Sequence, residues 1–371
     1  MSELTKQFID QNIPKLGFGI MRLPTHEDKN IDMPRFIEMV DYYMNNGMNY
    51  FDTAYMYHGG QSEGAVKAAV VDRFPRESFK IATKLPMWSC ETPADMGRIF
   101  NEQLQRLGVD YVDFYMLHAM NDDNHNKAVE FGAYDYLKEL KAQGKVKYIG
   151  FSFHGTAEVL DRMLREHPEM EFVQLQINYL DWTEEAKEFY DITLKYGKQI
   201  IIMEPVRGGA LAQLPRNLEP ILKTANPNAS IAWWALRWCV ALDNIMITLS
   251  GMSNMEQLTE NVEIFKNPAP LTAAESALIE RVITELGKYP QVNCTECKYC
   301  ECPIEIPISE IFKRYNRFVF RKGIQVFKKE YIKFEKRGDS CAECGKCEAV
   351  CPQSVKIIEQ LKYIDDVYSK L

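Results

Sequence analysis

Eight short apolar runs, separated by longer stretches with helical spacing, fill roughly the first 265 residues of the chain. The runs are rich in Ile, Val, Phe and Tyr and cover residues 16–20, 50–53, 80–84, 114–118, 148–152, 173–176, 200–204 and 246–250. Continuous apolar runs of that length read as strands buried on both faces, as in a parallel sheet. Eight strand–helix units in about 250 residues fit an α/β (β/α)8, or TIM, barrel better than an open doubly wound sheet. An open sheet that binds a dinucleotide would also carry G-x-G-x-x-G after its first strand. Here Gly17-Phe18-Gly19 is followed by Ile20, Met21 and Arg22, so that fingerprint fails.

The helix signals agree. The segment from Leu137 to Lys141 runs to Gly144, a good C-terminal stop. Residues 229–242 hold Trp233, Trp234 and Trp238 and predict a buried helix. Pro268 and Pro270 break the pattern, and 272–286 predicts a last helix. The domain boundary is therefore expected near 285, with a barrel over 1–285 and a small α-helical, ferredoxin-like domain over 286–371.

Eight of the ten cysteines lie in that tail. One run is Cys294, Cys297, Cys300 and Cys302, followed by Pro303; the other is Cys341, Cys344, Cys347 and Cys351, followed by Pro352. The second has the C-x-x-C-x-x-C-x-x-x-C-P spacing of bacterial ferredoxins, whose fourth cysteine ligates the other cluster. Applied here, one [4Fe-4S] cluster takes Cys294, Cys297, Cys300 and Cys351. The second takes Cys341, Cys344, Cys347 and Cys302. A single cluster, a zinc site and disulfides are the alternatives. Zinc favours two cysteine pairs over triplets followed by Cys-Pro, and disulfides require an oxidising compartment. The first run departs from pattern, with only Glu301 between Cys300 and Cys302. Cys90 and Cys239, in apolar surroundings, are expected as packing residues. A tail this small is expected to bury little core, leaving its clusters to supply folding free energy.

The formal charge of -8 argues against a dedicated nucleic-acid binder. No apolar run reaches the ~18 residues of a membrane span. Nothing at the N-terminus resembles a signal peptide, so a reducing cytoplasm is expected. The segment 311–338 opposes the overall charge, with ten Lys or Arg against Glu330 and Glu335. It is either a dock for an acidic electron carrier or a solvated helical face that balances the clusters.

In a (β/α)8 barrel the strands' C-terminal ends build the active site. The residues there are Asp52 and then Tyr57, Lys84, His118, Ser152, Gln176 and Glu204. A tyrosine is a weak acid near neutrality, and a nearby ammonium favours its phenolate. Lys84, held by Asp52, would play that part, Tyr57 would protonate an alkoxide forming from a carbonyl, and His118 would orient the same oxygen. Taken singly, Asp52 and Lys84 also fit a structural ion pair, and His118 a core histidine.

These stretches resemble the aldo-keto reductase family. Asp52-Thr-Ala-Tyr-Met-Tyr57, Ala82-Thr-Lys84 and Leu117-His118 are similar to its tetrad motifs, and 16–24 to its opening strand. The tail resembles the subgroup with a C-terminal ferredoxin-type domain. The resemblance covers about residues 13–265 and implies an extended NADPH or NADH across the barrel mouth. Ser152 and Gln176 would hold the carboxamide, with Glu204, Val206 and Gly208 beside the nicotinamide and pyrophosphate. Glu260 and Asn261 would meet the adenine. Gly19, Met21, Asp52, Gly251, Ser253 and Gln257 complete the implied cofactor set. His154 stands in for a usual asparagine after Ser152, and Met203 for a stacking aromatic. The loop before Glu260 lacks the cations that clamp a 2′-phosphate, so a weakened NADPH preference is expected. Met21, Met56, Trp88 and Tyr179 are expected to line an apolar pocket for the carbonyl substrate.

The leading expectation is an enzyme interconverting carbonyl and alcohol, with two [4Fe-4S] clusters for structure or electron transfer. A ferredoxin or flavodoxin-like carrier is the expected partner of the clusters. The alternatives are an electron-transfer module whose barrel only binds nucleotide, and a flavin-dependent reductase.

Overall fold

The computed structural model describes residues 13–321 and 323–371. Residues 1–12 of the expected barrel and Lys322 of the basic segment lie outside the described residues. Eight strands, β1 (Leu16–Gly19), β2 (Tyr50–Asp52), β3 (Lys80–Leu85), β4 (Val112–Met120), β5 (Val146–Phe153), β6 (Phe172–Gln176), β7 (Gln199–Met203) and β8 (Ile245–Ser250), form a closed barrel. Every neighbouring pair is parallel, and β8 closes on β1 through Gly17↔Leu249. Each of the eight apolar runs thus forms one strand.

The barrel is filled by its own inward side chains, as a closed eight-stranded sheet requires. Phe114 of β4 meets the rings of Tyr50 from β2 at 5.1 Å, Tyr148 from β5 at 5.0 Å and Phe172 from β6 at 5.4 Å. Strands β2 and β6 do not pair with β4, so these contacts cross the interior. Helices alternate with the strands along the chain, and the expected last helix is Ala273–Leu286. Its start is a reciprocal capping box between Thr272 and Glu275. The tryptophan helix is Ile231–Val240. Trp234 is fully buried, whereas Trp233 and Trp238 are half-buried.

The chain divides into two compact units. One comprises the described part of Met1–Pro205 with Leu236–Pro270; the other comprises Val206–Ala235 and Leu271–Leu371. The second unit has three longer helices in its cysteine-bearing part: Ile308–Arg321, Ile324–Tyr331 and Ile357–Lys370. Contrary to expectation, this part has a core of its own. Ile308, Ile311, Phe312, Tyr315, Phe327, Tyr331, Leu361 and Ile364 are buried together. Phe327 stacks on Phe318 at 4.9 Å and on Tyr331 at 5.3 Å. Among the described residues, no helix is long and apolar enough to cross a membrane.

Candidate active site and cysteine cavities

The polar residues expected at the strand ends do gather at one mouth. Lys84, at 0% exposure, donates from Nζ to Asp52 Oδ1 at 2.6 Å and to the Thr53 carbonyl at 2.7 Å. Burial draws the Lys84 ammonium below its usual range and pushes the Asp52 carboxyl above its own, while each partner opposes the shift in the other. Such a pair is retained in a dry site only when both charges are matched. The Lys84 nitrogen also lies 4.8 Å from the centre of the Tyr57 ring. Tyr57 is 9% exposed, and its ring meets that of His118 edge-on at 6.0 Å.

His118 is aimed by a defect in β4. The β4–β5 register shifts between Leu117 and Met120, and Ala119 adopts a φ of +50°. Bulges of this kind re-aim side chains beside active sites. The bulge is pinned by Ser152 Oγ, which accepts from the Ala119 N–H at 2.7 Å. Burial, then the charges of Lys84 and His154, hold the His118 imidazole well below its usual range, so it is neutral near pH 7. His154 is half-buried, its backbone bonded to Met120, and burial holds its imidazole down to about 4.

The expected carboxamide readers are set with complementary polarity. Ser152 Oγ already accepts from Ala119, which leaves its O–H to donate. Gln176 Nε2 donates to Asp181 Oδ2 at 2.7 Å, which turns Oε1 away from Asp181 as an acceptor. Asn178 Nδ2 donates to the same carboxylate oxygen at 2.7 Å and to the Glu204 carbonyl at 3.1 Å. A primary amide offers one acceptor and two donors, so this pair of residues fits a nicotinamide. Asp52 Oδ2 and the Tyr179 hydroxyl are buried without a partner among the described residues. Both are polar atoms that a bound ligand would satisfy.

Other expected cofactor residues are placed as follows. Glu204 lies just past β7 in the left-handed region, φ +55°, and pairs with Arg22 at 3.3 Å. Gly19 and Met21 are half-buried at the end of β1 and in the turn Ile20–Arg22. Gly251 abuts the Arg22 side chain, where a Cβ would come within 3.0 Å. Ser253 Oγ donates to the Arg22 carbonyl at 2.7 Å, and exposed Gln257 accepts from the Ser253 N–H at 2.8 Å. Glu260 is half-buried. Asn261 is buried and donates to Ser250 Oγ at 2.9 Å. Val206 and Gly208 belong to the second unit. There Gly208, at φ +62°, leaves only 2.5 Å between a would-be Cβ and the Thr295 carbonyl oxygen, so no larger residue fits. Around the mouth, Met56 and Trp88 are exposed and joined by a 3.2 Å contact from the indole N–H to sulfur. Tyr179 is 1% exposed and belongs to the buried wall.

Two residues escaped the sequence reading. Arg22 links β1 to the ends of β7 and β8, and Asp181 orients Gln176. Arg22 stands inside the opening motif, and a cation there was the one available signal.

In the tail the two cysteine runs exchange their last members. Cys294, Cys297, Cys300 and Cys351 line one cavity, with Phe312, Val355 and Ile357 among its apolar walls. Cys302, Cys341, Cys344 and Cys347 line a second, with Ile304, Ile306 and Leu361. The two runs share a backbone pattern. Glu296 and Glu343 hold positive φ between the first two cysteines, and each donates its N–H at 3.4 Å to the sulfur two residues back. Lys298 and Gly345 repeat the conformation two residues on, and Glu305 and Ser354 three residues past the last cysteine. The short spacing is absorbed locally. A helical turn, Lys346–Ala349, fills the second run, while a tight turn from the Glu301 N–H to the Tyr299 carbonyl replaces it in the first. Burial pushes the Cys294 and Cys300 thiols up to about 12, so as free thiols they are neutral. Four sulfurs around an apolar cavity are a donor set suited to an iron–sulfur cluster. Cys90 and Cys239 are buried, as expected of packing residues.

The basic segment is largely neutralised within its own unit. Lys313 pairs with Glu296, Arg314 and Arg317 with Glu330, Arg321 with Glu219, Lys336 with Glu305 and Arg337 with Asp339. A charge-balancing face accounts for these six cations.

An eight-stranded barrel with this mouth and a cysteine-rich tail defines an oxidoreductase class. The chain belongs to the aldo/keto reductase family, whose model matches residues 15–284, and a 4Fe-4S dicluster domain matches residues 293–356. Among curated proteins it is 23% identical over 286 residues to the uncharacterized oxidoreductase YqkF of Bacillus subtilis, covering 68% of this chain and 88% of that one. It is 25% identical over 264 residues to the NADH-specific methylglyoxal reductase of Escherichia coli, covering 58% and 78%. Among solved structures, the holo form of the aldo-keto reductase AKR11C1 from Bacillus halodurans matches with a TM-score of 0.59 and 26% identity, covering 73% and 92%. A Klebsiella pneumoniae aldo-keto reductase in complex with NADPH matches with a TM-score of 0.61 at 20% identity, covering 73% and 91%, a likeness of fold.

Proposed function

We propose that the protein reduces an aldehyde or ketone to an alcohol, and runs the reverse reaction, with Tyr57 as general acid and base. The observation that carries this is the Lys84 ammonium, bonded to Asp52 at 2.6 Å and 4.8 Å from the Tyr57 ring. A buried cation there favours the phenolate and makes the phenol a stronger acid. Neutral His118, across the Tyr57 ring, donates a hydrogen bond to the substrate oxygen without competing for its proton. Tyr57 delivers its proton to that oxygen as negative charge develops on it. Asp52 keeps Lys84 charged in its dry site. A nicotinamide dinucleotide, when bound, supplies or accepts the hydride. Ser152 and Gln176 hold its carboxamide, and Gly19, Met21, Glu204, Gly251, Ser253, Gln257, Glu260 and Asn261 are the proposed binding residues around it. Arg22 supplies one cation at that mouth, so NADPH is bound with only a modest preference over NADH.

Domain limits of 1–285 and 286–371 accompany this reading. Cys294, Cys297, Cys300 and Cys351 hold one [4Fe-4S] cluster, and Cys302, Cys341, Cys344 and Cys347 the other. The clusters supply one-electron chemistry or structure, and exposed Cys344 offers an edge to a ferredoxin or flavodoxin-like carrier. Such clusters suit a reducing cytoplasm. The test is steady-state reduction of simple aldehydes by anaerobically purified, cluster-loaded protein with each dinucleotide. Turnover with either one supports the reading. Tight dinucleotide binding with no turnover across a panel of aldehydes and ketones returns the barrel to a nucleotide-binding scaffold.

A further inference from the structure

We propose that the barrel wall carries a site for a divalent transition-metal ion of the zinc class, held by His125, Glu166 and His167. His125 lies on the helix Asp122–Glu130; Glu166 ends the helix Ala157–Glu166, and His167 caps it. One ligand atom from each residue lies within 4.8 Å of those from the other two. The three are otherwise unused by the mouth or the cysteine cavities.

The surroundings of the two imidazoles are those of metal ligands. His125 is 2% exposed, with Nδ1 2.8 Å from the Tyr134 hydroxyl. His167 has Nδ1 3.3 Å from Glu169 Oε1, and its ring lies flat on Tyr134, centroids 3.4 Å apart and planes within 5°. With both Nδ1 atoms engaged, Nε2 is the nitrogen each ring offers. A ligating histidine typically has its second nitrogen fixed in this way by a carboxylate or another polar group. His125 Nε2 faces Glu166 Oε2 at 3.6 Å, too long for a hydrogen bond and consistent with two donors converging on one point.

The chemistry selects the ion. Two imidazoles and one carboxylate suit zinc, copper or nickel over calcium and magnesium, which take oxygen ligands. Zinc would keep one further position for water. Ligands around a tetrahedral zinc stand ~3.3 Å apart, from Zn–N distances near 2.0 Å. The donors must therefore draw in by roughly an ångström. Glu166 and His167 sit at a helix terminus, where side-chain rotation supplies that movement. Two arginines stand near the site, and burial, then the charge of Arg162, favours the neutral form of His125. Arg165 approaches Glu166 Oε1 at 3.6 Å, and Arg162 pairs with Asp122. The ion would clamp the two helices together.

The test is equilibrium dialysis of cluster-loaded protein against buffered zinc, with elemental analysis of zinc and iron. Iron content and visible absorbance are followed throughout, so that zinc entering vacated cysteines is recognised. The expected result is one zinc per chain at unchanged iron. His167, less buried than His125, is the safer site to alter: His167→Ala should weaken zinc binding by at least ~100-fold, and Glu169→Gln by about 10–100-fold. Zinc should raise the thermal midpoint of the native protein and leave that of His167→Ala unchanged. No zinc uptake by the native protein, or equal uptake by His167→Ala, overturns the proposal.

Discussion

The barrel mouth and the cysteine tail place reactive groups in opposite ways. At the mouth the chain completes its own electrostatics: the Lys84 charge is met by Asp52 and a backbone carbonyl within one buried site. In the tail the sulfurs face cavities, and the half-buried Cys294 and Cys300 thiols are neutral until iron replaces their protons. The mouth is preorganised by protein alone, whereas the tail is finished by its cofactor. Its apolar core, centred on Ile311, Phe312, Tyr315 and Tyr331, takes in Cys347 and has Cys294, Cys300, Cys302, Cys341 and Cys351 packed against it, but the spaces between the sulfurs are left as cavities.

The largest expected effect breaks that contrast directly. Removing iron by anaerobic chelation should speed amide exchange in 294–302 and 341–351 by at least ~100-fold. Exchange in β2, β3 and β4 should change little, as followed by hydrogen–deuterium mass spectrometry. Equal loosening of both regions would mean that the mouth also depends on the clusters.

Next comes the buried pair. Lys84→Met leaves the Asp52 carboxylate uncompensated and should cost about 3–5 kcal/mol in urea unfolding. The double variant with Asp52→Asn should recover most of that stability without recovering turnover. If stability and activity return together, the pair is structural and the acid lies elsewhere.

A pH titration gives a comparable but separable effect. Unfolded histidine titrates near 6.5, whereas desolvation holds the half-buried His154 imidazole down to about 4 and that of His118 well below its usual value. Between those limits the unfolded chain binds protons that the folded chain refuses. Stability is therefore full above pH ~6.5 and is lost as pH falls toward 4. The His154 share is on the order of 3 kcal/mol, and His154→Gln should flatten the unfolding curve by that share. An unchanged slope would show that His154 is solvated.

The smallest effect concerns Asp181. Replacing it with Asn removes a charged acceptor from Gln176 and should weaken dinucleotide binding about 10-fold. Turnover at saturating dinucleotide should change far less. A fall in turnover with unchanged binding would separate Gln176 from the carboxamide.

The legibility of these regions differs for physical reasons. Buried parallel strands are written as continuous apolar runs, so all eight were visible, as were Asp52, Lys84 and His118 at their ends. The exchange of Cys302 and Cys351 between cavities was also foreseeable, because in the two-cluster ferredoxin pattern the fourth cysteine of each run serves the other cluster. Arg22 was hidden because its partner lies 182 residues away and meets it only in the closed barrel; Asp181 was hidden because its bond to Gln176, five residues back, depends on the conformation of the turn after β6. Glu204 was placed on β7, yet its positive φ carries it past the strand. Asn261 matched an expected contact by motif, while the fold buries it against Ser250. The core of the tail was underrated because it is assembled from aliphatic and aromatic residues spread over three helices.

The most direct test of the account is a Tyr57→Phe variant, purified anaerobically with its iron intact. Carbonyl reduction and dinucleotide affinity are measured side by side. The account predicts turnover reduced by about 10²–10⁴-fold, with dinucleotide affinity and iron content unchanged. Retained turnover would contradict it and move the proton donor away from the barrel mouth.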